Sequence, residues 1–450
     1  MASYEFQEIG NTNSESIESH STDKDLLLIQ LQSSELKRKK RRFKAFLKEC
    51  RFDLVKDIFL EYGAKDVNIT DDWILSWTDG TLSLKDYSAL KSYQKINHFP
   101  GMSMICQKDL LSRHLKLMKR NLPRDYNFFP LTFCLPEELR NLTDYCERRK
   151  YQDVFIIKPD ANSQGVGIEV IKDVKNFKKY RNVICQKYVR KPFLIDGFKM
   201  DLRLYVLITS VTPLRIYLYK EGLIRLATIL YKKPSFTNLN EKRMHLTNYA
   251  VNRNLEKSFQ ERPSENCKKS LSDLEDYFSC MGLSISDTWL VIEEIIVKTI
   301  LSVIPELQHI YRTTFPCTSA ISSCYEVLGF DILLDDKTKP YLLEVNRTPS
   351  FGASTAVDRE LKENLIRNVL DMILLTPKQI KFIKDEERLK SFRRLTNLNM
   401  IRSLTPKEQA LYEYQERKEN RMCGNFKKIY PVQDRKYDNI YETAFRVSKY

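Results

Sequence analysis

Gly329 to Leu334, a polar turn from Asp335 to Pro340, and Tyr341 to Asn346 place two carboxylates and an amide where they can meet. Two apolar runs rich in strand formers flank a proline-bearing turn, which predicts an antiparallel hairpin. In such a hairpin Asp331 lies near the far end of the second strand, where Glu344 and Asn346 share a face. Three oxygen donors then converge. Donors of this kind suit Mg²⁺, which keeps waters and takes up substrate phosphates, so the chemistry expected is nucleotide chemistry rather than a structural metal. The same residues would also suit a strand whose polar face meets solvent.

Upstream segments add phosphate-binding chemistry. Val154 to Pro159 reads as a strand carrying Lys158 at its end, followed by a loop with Gln164, Gly165 and Gly167 and a return through Ile168. Glycines let backbone amides approach an anion, and a lysine adds a point charge, although a plain hairpin turn has the same composition. Val183 to Val189 is an apolar run whose backbone suits an adenine edge or, equally, a core strand. From Lys199 to Leu204, Lys199, Asp201 and Arg203 alternate with Met200, Leu202 and Leu204. That alternation gives one charged and one apolar face, as in a half-exposed edge strand or the wall of a triphosphate cleft.

The elements that must position these groups belong to a chain of 450 residues with 42% hydrophobic content, enough for two or three packed lobes. Lysine and arginine exceed the acids by 15, so the surface favours polyanions: nucleic acid, anionic membrane or an acidic protein. No signal-like segment begins the sequence and no apolar run approaches the ~20 residues that cross a bilayer, so a cytosolic protein is expected. The ten cysteines are scattered without C-x-x-C pairs, which argues for reduced thiols rather than zinc or disulfides.

The organisation expected is α+β, with clustered strands beside helices rather than strict alternation. Residues 1–42 read as a disordered arm ending in the basic block Lys37 to Arg42, residues 43–150 as an N-terminal α/β lobe, and 151–375 as the lobes that hold the site. Residues 376–450 read as a cationic helical segment. Its two helix starts, at Thr376-Pro377 and Thr405-Pro406, each carry Gln or Glu three residues after the threonine, the capping-box pattern. Lys381, Lys384 and Arg388 form a basic stripe on the first helix.

Lys158-Pro159 with its glycine loop, Lys199 to Arg203, His245-Leu246-Thr247-Asn248-Tyr249 and Leu343 to Asn346 together resemble the tubulin tyrosine ligase-like family, which has an ATP-grasp fold. Asn97-His98-Phe99-Pro100-Gly101-Met102 and Gly424 to Pro431 resemble its autonomous polyglutamylase branch, and the resemblance runs from about Ser92 to Pro431. It implies that Lys158, Gln164, Gly165, Gly167 and Ile168 contact ATP, with Gln186, Lys187, Tyr188 and Val189 as the adenine hinge. Lys199, Asp201, Thr247 and Asn248 complete that site. Asp331, Glu344 and Asn346 would hold two Mg²⁺, and Arg225, Tyr249, Lys268 and Lys362 would take free L-glutamate.

The implied reaction phosphorylates a glutamate side chain on a tubulin C-terminal tail, after which the amine of free glutamate attacks the acylphosphate. Arg203 and Glu344 are the catalytic candidates, with Arg203 as a clamp on the reacting phosphoryl group. The basic segment from Thr376 would hold microtubules. A monomer in the cytoplasm and on the microtubule cytoskeleton, including cilium or basal body, follows from the resemblance. The competing expectations are a tubulin glycylase, a microtubule-binding protein with an inactive site and, from charge alone, a nucleic-acid binder.

Overall fold

The computed structural model describes residues 42–160, 165–172, 180–248, 268–315, 321–395 and 405–448. Three sheets with flanking helices form a mixed α and β fold, so strands and helices cluster as the sequence patterns predict. The basic block at 37–42 lies, except for Arg42, outside the described residues.

The first sheet is parallel. It comprises β1 (Phe43–Phe46), β2 (Ala64–Asp66), β3 (Leu75–Ser76) and β4 (Lys95–Ile96) in the order β2-β1-β3-β4, with α1 (Asp53–Glu61) and α2 (Leu84–Ser88) between strands. Helices α3 (Ser103–Cys106) and α4 (Lys108–Asn121) lead to a second, antiparallel sheet. Its strands β5 (Thr132–Leu135), β6 (Phe155–Pro159), β7 (Glu169–Ile171) and β8 (Val183–Lys187) lie in the order β5-β8-β6-β7, with α5 (Leu139–Arg148) after β5.

The third sheet is the largest. Strands β9 (Leu194–Ile195), β10 (Phe198–Val211) and β11 (Leu214–Leu230) precede α6 (Lys242–His245), β12 (Lys268–Ser270), α7 (Leu271–Cys280), α8 (Ser286–Leu301) and α9 (Ile304–Thr314). Then come β13 (Glu326–Leu334), β14 (Pro340–Asn346), α10 (Ala356–Ile373), α11 (Pro377–Leu395), α12 (Pro406–Arg421), β15 (Phe426–Tyr430) and α13 (Asp438–Val447). The sheet path is β12-β11-β10-β13-β14, with β15 added on β11 and β9 on β10. The helical pattern expected around Asp287 to Leu307 is two helices, α9 opening with Pro305 in its first turn, where a missing N–H does no harm.

Strand β10 shows why this sheet organises the molecule. Its even positions, Met200 to Ile208, are apolar and join the core under α8 and α9. Its odd positions change along the strand. Lys199, Asp201 and Arg203 come first, Tyr205 and Leu207 join a second core with Trp77 and α10, and Thr209 faces α12. The alternation is therefore not that of an edge strand: β10 lies between β11 and β13 with both faces covered.

Both capping boxes form, Thr376 with Gln379 and Thr405 with Glu408. The segment 376–450 is nevertheless not a purely helical tail. Phe426 to Tyr430 forms a strand that pairs with Tyr219 to Ile216 of β11, with a register shift at Ile429, so the chain returns to the central sheet. The basic stripe of α11 is also partly engaged, because Lys384 lies 3.6 Å from Asp72 and 4.2 Å from the Tyr93 ring centroid.

A buried ion pair fastens α12 to the sheet. Arg215 on β11 donates to Glu419 at 2.8 and 3.2 Å, and the Thr209 hydroxyl donates to the same carboxylate at 2.8 Å. Both charged side chains are almost fully buried. Removing one partner leaves a desolvated charge, so Arg215→Ala is expected to cost ~3–5 kcal/mol of stability, against ~1 kcal/mol for Thr209→Ala. Urea denaturation of the two variants checks this ordering.

Candidate active site

Antiparallel register sets residues of neighbouring strands face to face. Lys268 of β12 is opposite Arg225 of β11, and Arg225 is opposite Asp201 of β10. Two positions along β10, Arg203 is opposite Asp331 of β13, and Asp331 is opposite Glu344 of β14. Five strands thus present charged side chains as a band.

Within that band the charges interlock. Arg203 donates Nε and an Nη to the two Asp331 oxygens at 2.5 and 3.0 Å. Arg225 donates to Asp201 through Nε at 2.9 Å and through an Nη, and the same Nη reaches Asp331 at 2.6 Å. Burial opposes the Asp331 charge, but the two guanidiniums outweigh it and hold the carboxyl well below its usual range. Asp331 is an anion at any working pH.

The hairpin that carries Asp331 and Glu344 is built locally. Asp335 accepts from the Lys337 and Lys339 amides at 3.0 and 2.9 Å, an Asx-type closure of the turn. Register then shifts by one residue: Asp331 pairs with Glu344 but Ile332 pairs with Leu342. The extra residue, Leu343, is a bulge that turns Glu344 away from the core face occupied by Leu342, so that Leu343, Glu344 and Asn346 all line the cleft.

A cleft with about 950 Å³ of empty volume runs between this band and the second sheet. Of the sequence candidates, Lys158, Gly165, Ile168, Gln186, Lys187, Tyr188, Val189, Lys199, Asp201, Arg225, Thr247, Asn248, Asp331, Glu344 and Asn346 line it. Pro130, Ile156, Leu246, Leu333 and Leu343 supply apolar walls suited to a planar ring. Gly167, Arg203, Lys268 and Lys362 are not on that wall, and Gln164 and Tyr249 lie outside the described residues. Gly165 has φ 81°, a conformation that favours glycine over other residues.

Side chains around the cleft are held by one another. Lys158 donates to Gln186 at 2.8 Å, and Gln186 donates to Thr132 at 3.0 Å. Lys199 donates to the Tyr188 hydroxyl at 3.1 Å and to the His245 carbonyl at 2.8 Å. Burial pushes His245 down to about 4, so its ring is neutral: Nδ1 accepts from Tyr188 at 2.9 Å and Nε2 donates to the Asn238 carbonyl at 3.0 Å. The Lys187 ammonium turns to Tyr145 and Asp153 at 3.0 and 3.1 Å, and its amide donates to the Leu131 carbonyl, so its side chain is engaged within the protein.

The cations expected at an amino-acid site are paired within the protein. Lys268 donates to Asp358 and Ser354, and Lys362 lies 2.9 Å from the other Asp358 oxygen and donates to the Gly352 carbonyl at 2.6 Å. Asp358 was not singled out from sequence, although its place four residues before Lys362 on one helix face is a signal. Lys108, at the start of α4, also lines the cleft, and no spacing pattern in the sequence marks it.

Asp331, Glu344 and Asn346 form a donor set that fits a divalent cation. The three meet across one strand pair, with Asn346 Nδ2 3.3 Å from Glu344 Oε1, which leaves the amide oxygen as a hard donor. Among the described residues no group of three or more His, Cys, Asp or Glu is placed to hold a metal. Two carboxylates and an amide leave positions to water and phosphate oxygens, the pattern of Mg²⁺ rather than of a closed structural site.

Burial pushes Lys199 down to about 7, with Lys158 adding to the effect and Asp201 opposing it. An anionic ligand raises it again. An anionic ligand in this cleft is therefore expected to bind most strongly below pH 7 and to weaken as pH rises through 7, with uptake of one proton in that range. Calorimetric titration of ATP in buffers of different ionisation heat is expected to show this uptake, and Lys199→Met to abolish it.

The chain is 42% identical over 415 residues to mouse tubulin polyglutamylase TTLL6, covering 91% of this chain and 50% of that protein. It is 42% identical to mouse tubulin polyglutamylase TTLL13, covering 88% and 50%, and 35% identical to human tubulin polyglutamylase TTLL7, covering 91% and 50%. The chain spans about half the length of the curated relatives it matches. The tubulin-tyrosine ligase family pattern matches residues 86–381, well over half of the sequence, and the chain therefore belongs to the tubulin-tyrosine ligase family.

Proposed function

We propose that this chain is an ATP- and Mg²⁺-dependent ligase that joins free glutamate to glutamate side chains of tubulin C-terminal tails through isopeptide bonds. The carrying observation is the charge arrangement at and beside one cleft: Asp331, Glu344 and Arg225 line it together with Lys158 and Lys199, and Arg225 continues in register to Lys268, which with Lys362 stands beyond the cleft wall. The relatives' names support tubulin as acceptor and glutamate as the group added. On this reading residues 43–150 and 151–375 are the N-terminal, central and C-terminal lobes of an ATP-grasp-like enzyme, and 376–450 supplies microtubule contacts from its cationic helices.

Joining a carboxylate to an amine near neutral pH requires converting a carboxylate oxygen into a leaving group. Lys158 and Lys199 take the phosphate charge, and the apolar walls between Ile156 and Leu343 take the base. Asp331, Glu344 and Asn346 would hold Mg²⁺, which neutralises charge on the transferring phosphoryl group. Arg203, fixed by Asp331, donates towards the reacting acyl phosphate. Arg225, Lys268 and Lys362 orient the two carboxylates of free glutamate so that its amine meets the activated carbonyl. Phosphate leaves as the amide forms.

The excess of basic residues suits acidic tails, and microtubule affinity is expected to fall steeply with salt. Mass spectrometry of microtubules incubated with protein, ATP, Mg²⁺ and glutamate is expected to show ladders of glutamate additions that vanish in Asp331→Asn and do not form with glycine. Salt-sensitive microtubule binding without additions would instead identify an inactive binder.

A further inference from the structure

The fully buried carboxylate of Asp358 stands between two lysines from distant segments. Lys268 lies on β12, next to Arg225 in register, and Lys362 lies one helical turn beyond Asp358 on α10. The trio carries two positive charges and one negative in a site almost closed to water. Ammoniums brought this close repel one another, and a single anion between them fixes both.

Helix capping gives an independent sign that this carboxylate has a role outside α10. In α2, α7, α11 and α12 the third helical residue returns a hydrogen bond to the backbone amide of its Ser or Thr cap. In α10 the cap Thr355 accepts from the Asp358 amide at 3.2 Å, but the Asp358 carboxylate is directed at Lys268, Lys362 and the Ser354 hydroxyl. The usual local contribution to the helix is replaced by a long-range one.

We infer that Asp358 is the positioning residue of the amino-acid site, holding Lys268 and Lys362 as a pair that receives a carboxylate of the incoming glutamate. The inference rests on the ligase reading above. It assigns Asp358 no contact with substrate; the residue acts through the two ammoniums. Burial already lowers Lys362 below the ordinary lysine range, with Asp358 opposing that shift. Neutralising Asp358 removes the opposition, so glutamate binding in the variant begins to fail at lower pH than in the parent protein.

Calorimetric titration of L-glutamate into the 450-residue chain loaded with Mg²⁺ and a non-hydrolysable ATP analogue tests this. Asp358→Asn is expected to weaken glutamate at least about tenfold and move the alkaline fall in affinity to lower pH, with analogue affinity within about twofold of the parent and Asp358→Glu restoring part of the loss. Unchanged glutamate affinity in a folded Asp358→Asn protein overturns the role of Asp358 and leaves the ligase reading intact. Equal loss of glutamate and analogue binding makes Asp358 merely structural and also overturns it. Failure of the parent protein to bind glutamate overturns both readings. Should Asp358→Asn not fold, Ser354→Ala retains the charge and loosens the trio: a few-fold weaker glutamate supports the inference, and no change overturns it.

Discussion

Asp331 between two guanidiniums is the interaction on which the rest of the site depends. It is almost fully buried, it sits at the meeting of β10, β11 and β13, and one of the two guanidiniums it holds has a further carboxylate partner. Arg225 continues to Asp201, and Glu344 stands across the strand pair from Asp331. Buried charges in such a chain are tolerable only when every member is matched in place, so geometry at one position constrains all the others. The band is preorganised: the guanidiniums that would stabilise charge are oriented by carboxylates before any ligand arrives.

Strand β10 links this band to the rest of the fold. Lys199, Asp201 and Arg203 occupy one end, Tyr205 and Leu207 share a core with Trp77 just after β3, and Thr209 reaches the buried Arg215–Glu419 pair at the other end. The helices that follow Thr376 are thereby fastened to the strand that carries the cleft charges. His98 and Glu326 make a comparable fastening for the segment that follows the first sheet, with Nδ1 2.8 Å from the carboxylate and the Phe99 amide donating to it at 2.9 Å. Glu326 begins the strand that carries Asp331.

Much of this was legible in the residues. Alternation placed Lys199, Asp201 and Arg203 on one face, and the proline-bearing turn between two apolar runs marked the hairpin that brings Asp331 near Glu344. The reasons were incomplete, however. Strict alternation puts Glu344 on the core face with Leu342, and only the bulge at Leu343 turns it to the cleft; a bulge depends on the partner strand and leaves no mark in its own sequence. Burial of β10 as a central strand, the return of β15 to β11 and the turning of Lys187 to Asp153 are likewise tertiary outcomes. Asp358 escaped notice because its partner Lys268 is ninety residues away, whereas its helical neighbour Lys362 is visible as an ordinary surface pair.

The central claim is that the charged band has two chemically distinct ends, an anionic one at Glu344 in the cleft for metal and a cationic one beyond Arg225, outside the cleft wall, for a carboxylate. Titrating Mg²⁺ and then L-glutamate into nucleotide-loaded Glu344→Gln protein tests it most directly. The account predicts at least about tenfold weaker Mg²⁺ with glutamate affinity close to that of the parent, because Glu344 touches neither Arg225 nor the lysine pair. Equal loss of both, or unchanged Mg²⁺ affinity, would contradict it.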